Sequence, residues 1–405
     1  MEKKTVLKIL SYVLVAALAS VITLVISLPL ENYLPTYYPT GNGAASQEVE
    51  QGSAKLRQIL NLVDQCFIGD ADTGEMTDAA AAAIIEATGD RWSHYIPASS
   101  MESYTEQMEN AYVGIGITIQ VDSDERGFLI TQVNPSGAAK AAGILPGDVL
   151  VEAEGKSLAG MDSEFAASII RGEPGTQVTV GVIRGEEKLT FTVERMMIYS
   201  QVATGAMIDG DVGYVRIANF NSGSAEQTIK VIEDLQSKGA KALIFDVRFN
   251  PGGYKHELVK LLDYLLPQGD LFISQDYTGK QTVDTSDEYC LQMPMAVLVN
   301  GHSYSAAEFF AAALSEYNWA TVVGQPTVGK GNFQVTLELS DGSAIALSTG
   351  KYFTPNGVSL ADEGGLVPNR VVEVDAETEV LIYGQLLPLE EDLQVQAALE
   401  VLKGE

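Results

Sequence analysis

From Glu48 to Phe67 apolar residues recur at helical spacing (Val49, Leu56, Ile59, Leu60, Val63). An alanine-rich run from Thr77 to Thr88 predicts a second helix, with Thr77-Asp78 as its start signal and Gly89 as its stop. Gly89 to Pro97 reads as a turn with two aromatics, in which His94 is structural, and Ser100 to Glu109 as a short amphipathic helix. The pattern changes at Tyr112. Val113 to Val121 is strand-like with two early glycines, and Gly127 to Val133 follows as a second strand. Met161 to Arg171 reads as a helix, and Gln177 to Ile183 with Lys188 to Val193 as a closing hairpin. From Val212 onward, apolar strands (Gly213–Ile217, Ala242–Val247, Met295–Val299, Thr321–Val323) alternate with helices at Ser224–Lys238, at Tyr254–Leu266 and after Ser305. Such alternation predicts βαβ units on a largely parallel sheet, whose sites form beyond the carboxyl ends of the strands. Two polar turns, Asn250–Gly253 and His302–Ser305, follow strands of this kind and are expected to meet at one sheet edge.

These breaks divide the 405 residues into a tip and anchor (1–31), a Pro/Tyr/Gly/Ser-rich linker (32–47), a helical region (48–110), a β-rich domain (111–197) and an α/β core (198–405). The fold class expected is therefore a mixed α/β and α+β multidomain protein. Lys3, Lys4 and Lys8 precede about twenty uncharged residues, Ile9 to Leu30, long enough to cross a bilayer. The basic residues before this run and Glu31 after it predict a cytoplasmic N-terminus, with the remainder of the chain outside. A cleaved signal peptide is the competing reading, since Ala17-Leu18-Ala19 resembles a small-residue cleavage site, but the apolar run continues past it.

Composition narrows the function classes. The net charge of −29 argues against nucleic acid as a partner, because neutralising phosphates needs clustered Lys and Arg. Two distant cysteines, Cys66 and Cys290, make no metal site alone, and no metal or cofactor is expected. Only three histidines exist, His94, His256 and His302, so a histidine-based triad has few routes.

The candidate chemistry lies between Asn300 and Gln334. Ser305 precedes an apolar run with Glu308 three residues on, which is a capping box. The same position suits a nucleophile: the hydroxyl sits among free N–H groups at the positive end of the helix dipole, and the Ala306 N–H can meet an oxyanion. A serine needs a base. His302 is too near in the same turn, and His256 fits a solvated helix face. Lys330, between Gly329 and Gly331, is the remaining candidate, provided that burial or a nearby cation lowers its pKa; an ordinary surface lysine is the alternative.

Tyr112-Val-Gly-Ile-Gly-Ile117 and Gly143-Ile-Leu-Pro-Gly-Asp-Val-Leu150 resemble the carboxylate-binding loop and strand signature of a PDZ domain. The resemblance implies a sandwich-like β domain in which Gly114, Ile115, Gly116 and Ile117 hold the free carboxylate of a peptide added to an open sheet edge. Gly89-Asp-Arg-Trp-Ser-His-Tyr95, Asp246-Val-Arg-Phe-Asn-Pro-Gly-Gly253, Asn300-Gly-His-Ser-Tyr-Ser-Ala-Ala-Glu308, Gly329-Lys-Gly-Asn-Phe-Gln334 and Tyr352-Phe-Thr-Pro-Asn-Gly357 together resemble the carboxyl-terminal processing (tail-specific) serine proteases. That resemblance implies Ser305 as nucleophile, Lys330 as general base, Gln334 as the residue positioning the lysine, and an oxyanion hole from the N–H groups of Ala306 and Gly252. In a straight strand Lys330 and Gln334 would stand about 13 Å apart, so contact requires a bend near Gly331. The family usually has glycine at His302, alanine at Tyr304, serine at Ala307 and aspartate at Asn369. Arg171 is a candidate regulatory link between the domains, against a solvated loop charge. The expectation is a membrane-anchored serine endopeptidase acting on proteins with free carboxyl-terminal tails. A homodimer through the 48–109 helices, and a catalytically silent PDZ adaptor, are the alternatives carried forward.

Overall fold

The computed structural model describes residues 46–404 apart from 123, 125 and 136. The described chain divides between Ala80 and Ala81 into two units. The first is carried by helix α1 (Gln47–Cys66), capped by Ser46, with Val49, Ile59 and Leu62 of its apolar positions exposed. Helix α2 (Thr73–Glu86) begins four residues before the Thr77 start signal. Asp72 Oδ1 accepts the N–H groups of Gly74 and Glu75 and so starts the helix upstream. Among the described residues no helix is long and apolar enough to cross a membrane; the expected span at Ile9–Leu30 lies outside them.

After strand β1 (His94–Ile96) and helix α3 (Met101–Glu109) comes the β-rich domain. Its strands are β2 (Ala111–Gly114), β3 (Ile117–Val121), β4 (Phe128–Val133), β5 (Val149–Ala153), β6 (Lys156–Ser157), β7 (Gln177–Arg184), β8 (Glu187–Glu194) and β9 (Met196–Tyr199). Helices α4 (Ala138–Ala142) and α5 (Ser163–Ile170) complete it. The run read as one strand from Val113 to Val121 is in fact two, broken at Ile115-Gly116, where Gly116 adopts φ +81°. Strands β3-β4-β5-β7-β8 form an antiparallel sheet with β6 on β5, and β2 pairs with β9. Period-two alternation buries Val178, Val180 and Val182 against Phe128, Ile130 and the α5 residues Ala166 and Ile170. Strand β3 is an edge of this sheet.

The core contains β10 (Ala203–Ile208), β11 (Val212–Ile217), α6 (Ser224–Ser237), β12 (Ala242–Asp246), α7 (Lys255–Leu265), β13 (Gly269–Asp276), β14 (Gln281–Ser286) and β15 (Met295–Val299). It continues through α8 (Ala306–Glu316), β16 (Ala320–Gly324), β17 (Asn332–Glu338), β18 (Ala344–Phe353), α9 (Leu360–Glu363), β19 (Arg370–Val371), α10 (Ala376–Tyr383) and α11 (Leu393–Lys403). One sheet, ordered β10-β11-β12-β15-β16-β19, is parallel except for β10. Alternate residues of its central strands face opposite layers. Leu243, Phe245, Val297 and Val299 pack on α6, α7 and α8, whereas Ile244, Ala296 and Leu298 pack on α11. These strands are apolar throughout because both faces are covered. The second sheet, β1-β18-β13-β14 with β17 on β18, is antiparallel and was not anticipated as a unit. Its strands are largely half-exposed, so no apolar run announces them.

Neighbouring strands β12 and β15 both end at the same edge of the parallel sheet, and the two polar turns after them do meet there. Ser303 Oγ donates to the Val247 carbonyl (2.8 Å), the Tyr304 N–H to the Asn250 carbonyl (3.1 Å), and the Phe249 N–H to Asn300 Oδ1 (3.0 Å). Beneath them the buried Arg248 guanidinium is paired with Asp246 (2.6 Å) and Asp392 (2.8 Å) and donates to Gln394 Oε1 (2.9 Å).

Candidate active site

Ser305 stands at the junction of the β15 turn and helix α8, 8% exposed, with φ 57° and ψ −127°. This backbone conformation is sparsely populated for any residue with a Cβ and costs on the order of 1–3 kcal/mol. It is held by the glutamate arm of a capping box, in which Glu308 Oε2 accepts the Ser305 N–H (2.9 Å), and by a backbone bond from the Glu308 N–H to the Ser305 carbonyl (2.9 Å). The cap expected from Ser-x-x-Glu is therefore present, but Glu308 does more than cap. Its carboxylate is fully buried; Oε2 also accepts the Lys330 N–H (2.8 Å), while Oε1 accepts the Gly329 N–H (2.7 Å) and the Thr327 hydroxyl. One carboxylate thus fixes the backbone of both Ser305 and Lys330.

The glycines beside Lys330 have a steric cause. Gly329 adopts φ +81°, and a Cβ there would lie 2.8 Å from the Gly365 nitrogen. Lys330 itself is partly buried, and burial pushes its pKa below the ordinary lysine value. The Asp90 and Glu308 carboxylates oppose that shift, and the Arg91 guanidinium adds to it. The side-chain nitrogen faces the rings of Trp92 and Tyr304, whose centroids are 4.7 Å and 5.7 Å away.

Gln334 lies in β17, which begins only at Asn332, and the pairing with β18 slips between Phe333 and Gln334. The segment from Lys330 to Gln334 is thus not one straight strand. The Gln334 amide donates to Ser348 Oγ (2.9 Å) and to the Asn332 carbonyl (3.3 Å) rather than engaging Lys330. Ser348 in turn bonds Asp90, whose carboxylate also accepts from Ser93 Oγ (2.6 Å) and from the Trp92 N–H (3.2 Å). Burial pushes the Asp90 carboxyl up, but these hydrogen bonds outweigh it and hold the group below the usual carboxylate range. The network Gln334–Ser348–Asp90 joins β17 to the 90–93 turn. Sequence reasoning read His94 of that turn as structural and gave no role to Asp90, Trp92 or, in β18, Ser348.

Gly252 faces the nucleophile. With φ +88°, a Cβ on it would lie 2.8 Å from Ser305 Cβ and 2.9 Å from the Ala306 nitrogen, so only glycine leaves that space open. The Gly252 N–H, expected in an oxyanion hole, here donates to Asn250 Oδ1 (2.8 Å). Neither other histidine joins the serine: His256 is exposed on α7 beside Tyr254, and His302 is exposed and stacked on Phe249 (5.2 Å). Asn369, where the family pattern has aspartate, accepts the Val322 N–H through Oδ1 (2.7 Å), a role an amide fills as well as a carboxylate. Among the described residues no three His, Cys, Asp or Glu side chains converge as metal ligands.

In the β domain, Tyr112, Gly114, Ile115, Gly116, Ile117, Ile119, Ala167, Ile170 and Arg171 line a cavity of about 260 Å³ between edge strand β3 and helix α5. All four loop residues expected to bind a peptide terminus lie in it. Arg171 at the end of α5 pairs with Glu106 of α3 (3.0 Å), not with the Lys330 segment directly. Helix α3 reaches strand β17 through a Tyr104–Thr336 hydroxyl contact (3.0 Å).

Residues 113–194 match the PDZ domain profile, and residues 211–372 match that of peptidase family S41. The carboxy-terminal processing protease CtpA of Bacillus subtilis (strain 168) is 28% identical over 365 residues, which cover 88% of this chain and 76% of that protein. A Staphylococcus aureus (strain N315) protein named "Probable CtpA-like serine protease" is 29% identical over 314 residues, covering 76% of this chain but only 63% of its own. Among solved structures, a photosystem II D1 C-terminal processing protease is 26% identical with a TM-score of 0.46, over 80% of this chain and 87% of that one. Residues 211–372 thus carry the peptidase family S41 profile behind an embedded PDZ domain, and the chain is similar over most of its length to carboxy-terminal processing proteases.

Proposed function

We propose that this chain is a membrane-anchored endopeptidase that binds the carboxyl-terminal tail of a protein in the PDZ groove and cleaves that protein with a Ser305–Lys330 dyad outside the cytoplasm. The observation that carries the reading is the Glu308 carboxylate, which holds the backbone of Ser305 and of Lys330 on one oxygen. Burial pushes the lysine pKa down, in the direction that a general base requires. Ser305 Oγ attacks the scissile carbonyl carbon as its proton passes to Lys330 Nζ. The oxyanion develops beside the Ala306 N–H, and the Gly252 N–H reaches it by leaving Asn250. The ammonium then gives its proton to the leaving amine, and water releases the acyl group by the same steps in reverse. Gln334 acts on the lysine through the Ser348–Asp90 network.

Edge strand β3 and the Gly114–Ile117 loop support tail capture by strand addition, and the apolar run Ile9–Leu30 supports the anchor. The path from Arg171 through Glu106 and α3 to β17 supports communication between groove and dyad. The test uses the chain from Asn32 onward with a denatured protein substrate bearing a free or an amidated carboxyl terminus. Wild type is expected to cleave the free-acid substrate faster, and Ser305→Ala and Lys330→Ala to cleave neither. Equal cleavage by all three proteins would sink the dyad. Tail binding without cleavage by wild type would identify a silent PDZ scaffold instead.

A further inference from the structure

Once Lys330 accepts the Ser305 proton it is an ammonium in a partly dry site, and the barrier depends on what stabilises that charge. A carboxylate in contact would do so, but it interacts with an ammonium several times more strongly than a ring face does and would keep the resting lysine protonated. Among the described residues no carboxylate lies within ion-pair distance of Lys330 Nζ. Two aromatic faces take that place. Nζ is 4.7 Å from the Trp92 ring centre and 5.7 Å from that of Tyr304, and the two rings stack on each other at 5.7 Å and 28°.

We propose that Trp92 and Tyr304 form an aromatic clamp that carries the charge of Lys330 while it holds the Ser305 proton. The proposal rests on the dyad reading above and assigns both rings as positioning residues acting through the lysine. Ring quadrupoles favour the ammonium without adding a formal charge. They therefore stabilise the transient state in which Oγ has bonded the carbonyl carbon and the proton sits on Nζ, without the formal negative charge that would hold the resting lysine more firmly protonated. Both rings are placed from elsewhere in the fold. Asp90 holds the Trp92 N–H, and the β1–β18 pairing brings that turn over the site, while Tyr304 directly precedes the nucleophile. Tyr304 replaces the alanine usual in the family, so the clamp is a property of this chain rather than of the general mechanism. The charged groups facing Nζ are Asp90 and Glu308, which favour the ammonium, and Arg91, which disfavours it and also lies over the Trp92 ring at 4.2 Å.

The test is kcat and KM against pH for the chain from Asn32 onward with tryptophans of increasing fluorination inserted at position 92, and separately with Tyr304→Leu. Fluorine weakens the ring quadrupole while keeping its shape, so folding is preserved. The acid limb of kcat/KM is expected to move stepwise to lower pH, by up to about one unit over the series. The kcat plateau should fall several-fold, because a weaker base takes the proton less readily, and KM should stay constant. Tyr304→Leu should move the limb the same way. A limb that stays fixed across the series overturns the clamp, whether or not the overall rate falls. If the series is flat while Lys330→Ala is inactive, the clamp alone fails; if Lys330→Ala is active, the dyad fails first.

Discussion

Glu308→Gln tests whether one carboxylate holds the two reacting residues in place. The wild-type side chain is fully buried and accepts four donors: the N–H groups of Ser305, Gly329 and Lys330 and the Thr327 hydroxyl. A glutamine keeps one oxygen, enough for two of them, and turns an NH₂ group toward the other two. Depending on which oxygen is replaced, one or two buried N–H groups lose their acceptor at about 1–3 kcal/mol each, so the variant should lose roughly 1–6 kcal/mol of stability. Activity should fall further, since a displacement of about 1 Å between reacting groups can cost on the order of 10²-fold. The variant also removes a negative charge that holds Lys330 up, so the acid limb of any residual activity should move to lower pH. Urea unfolding and kcat/KM against pH on one preparation read all three effects. A variant within about 0.5 kcal/mol of wild type and active at nearly the wild-type rate would refute the reasoning.

Lys330→Met should abolish cleavage yet raise Tm by about 2–4 °C, if removing the partly dry ammonium gains about 1 kcal/mol. The lysine's folded pKa is lowered, so the unfolded chain binds the extra proton. Wild-type stability should therefore climb as pH rises from that lowered value toward the ordinary lysine value, and calorimetry should find the climb missing in the Met variant. Arg248→Met strands Asp246 and Asp392 in the core and should cost about 3–5 kcal/mol in urea unfolding. Gly329→Ala meets both a positive φ and the Gly365 nitrogen, and should lose about 2 kcal/mol or more together with most activity, measured on the same substrate. Arg171→Ala breaks a largely solvent-screened pair with Glu106, so stability should change by less than about 1 kcal/mol. The advantage of free-acid over amidated substrate should shrink in that variant.

The parallel sheet and its turns were legible because their signals are local. Met295–Val299 is apolar without interruption, as a strand covered on both faces must be, and Ser-x-x-Glu marks the start of α8. Ser305 and Lys330 drew notice through a capping pattern and flanking glycines, whereas their reading as nucleophile and base came from the family resemblance. What escaped is non-local. The β1–β18 pairing, His94 opposite Ala346, together with the bonds from Ser348 to Ser93 and Asp90, carries Trp92 and Asp90 to the lysine. Glu308 was visible as a cap, whereas its bonds to Gly329 and Lys330 depend on a loop more than twenty residues away. The contact between Gln334 and the lysine was expected to need a bend near Gly331. The strand instead begins at Asn332 and slips register after Phe333, and the Gln334 amide goes to Ser348.

The left-handed backbone at Ser305 also sets a direction for mutation. Any side chain there bears the conformational cost, and glycine alone escapes most of it, at a smaller entropic cost in the unfolded chain. Ser305→Ala would silence the enzyme and keep the strain, whereas Ser305→Gly would silence it and relax the fold by about 1 kcal/mol. Replacing the proposed nucleophile by glycine is therefore downhill in stability at this position and leaves the PDZ groove untouched. A lineage under no demand to cut its substrate would drift toward a sturdier, purely binding protein, and the serine in this chain stands against that gradient.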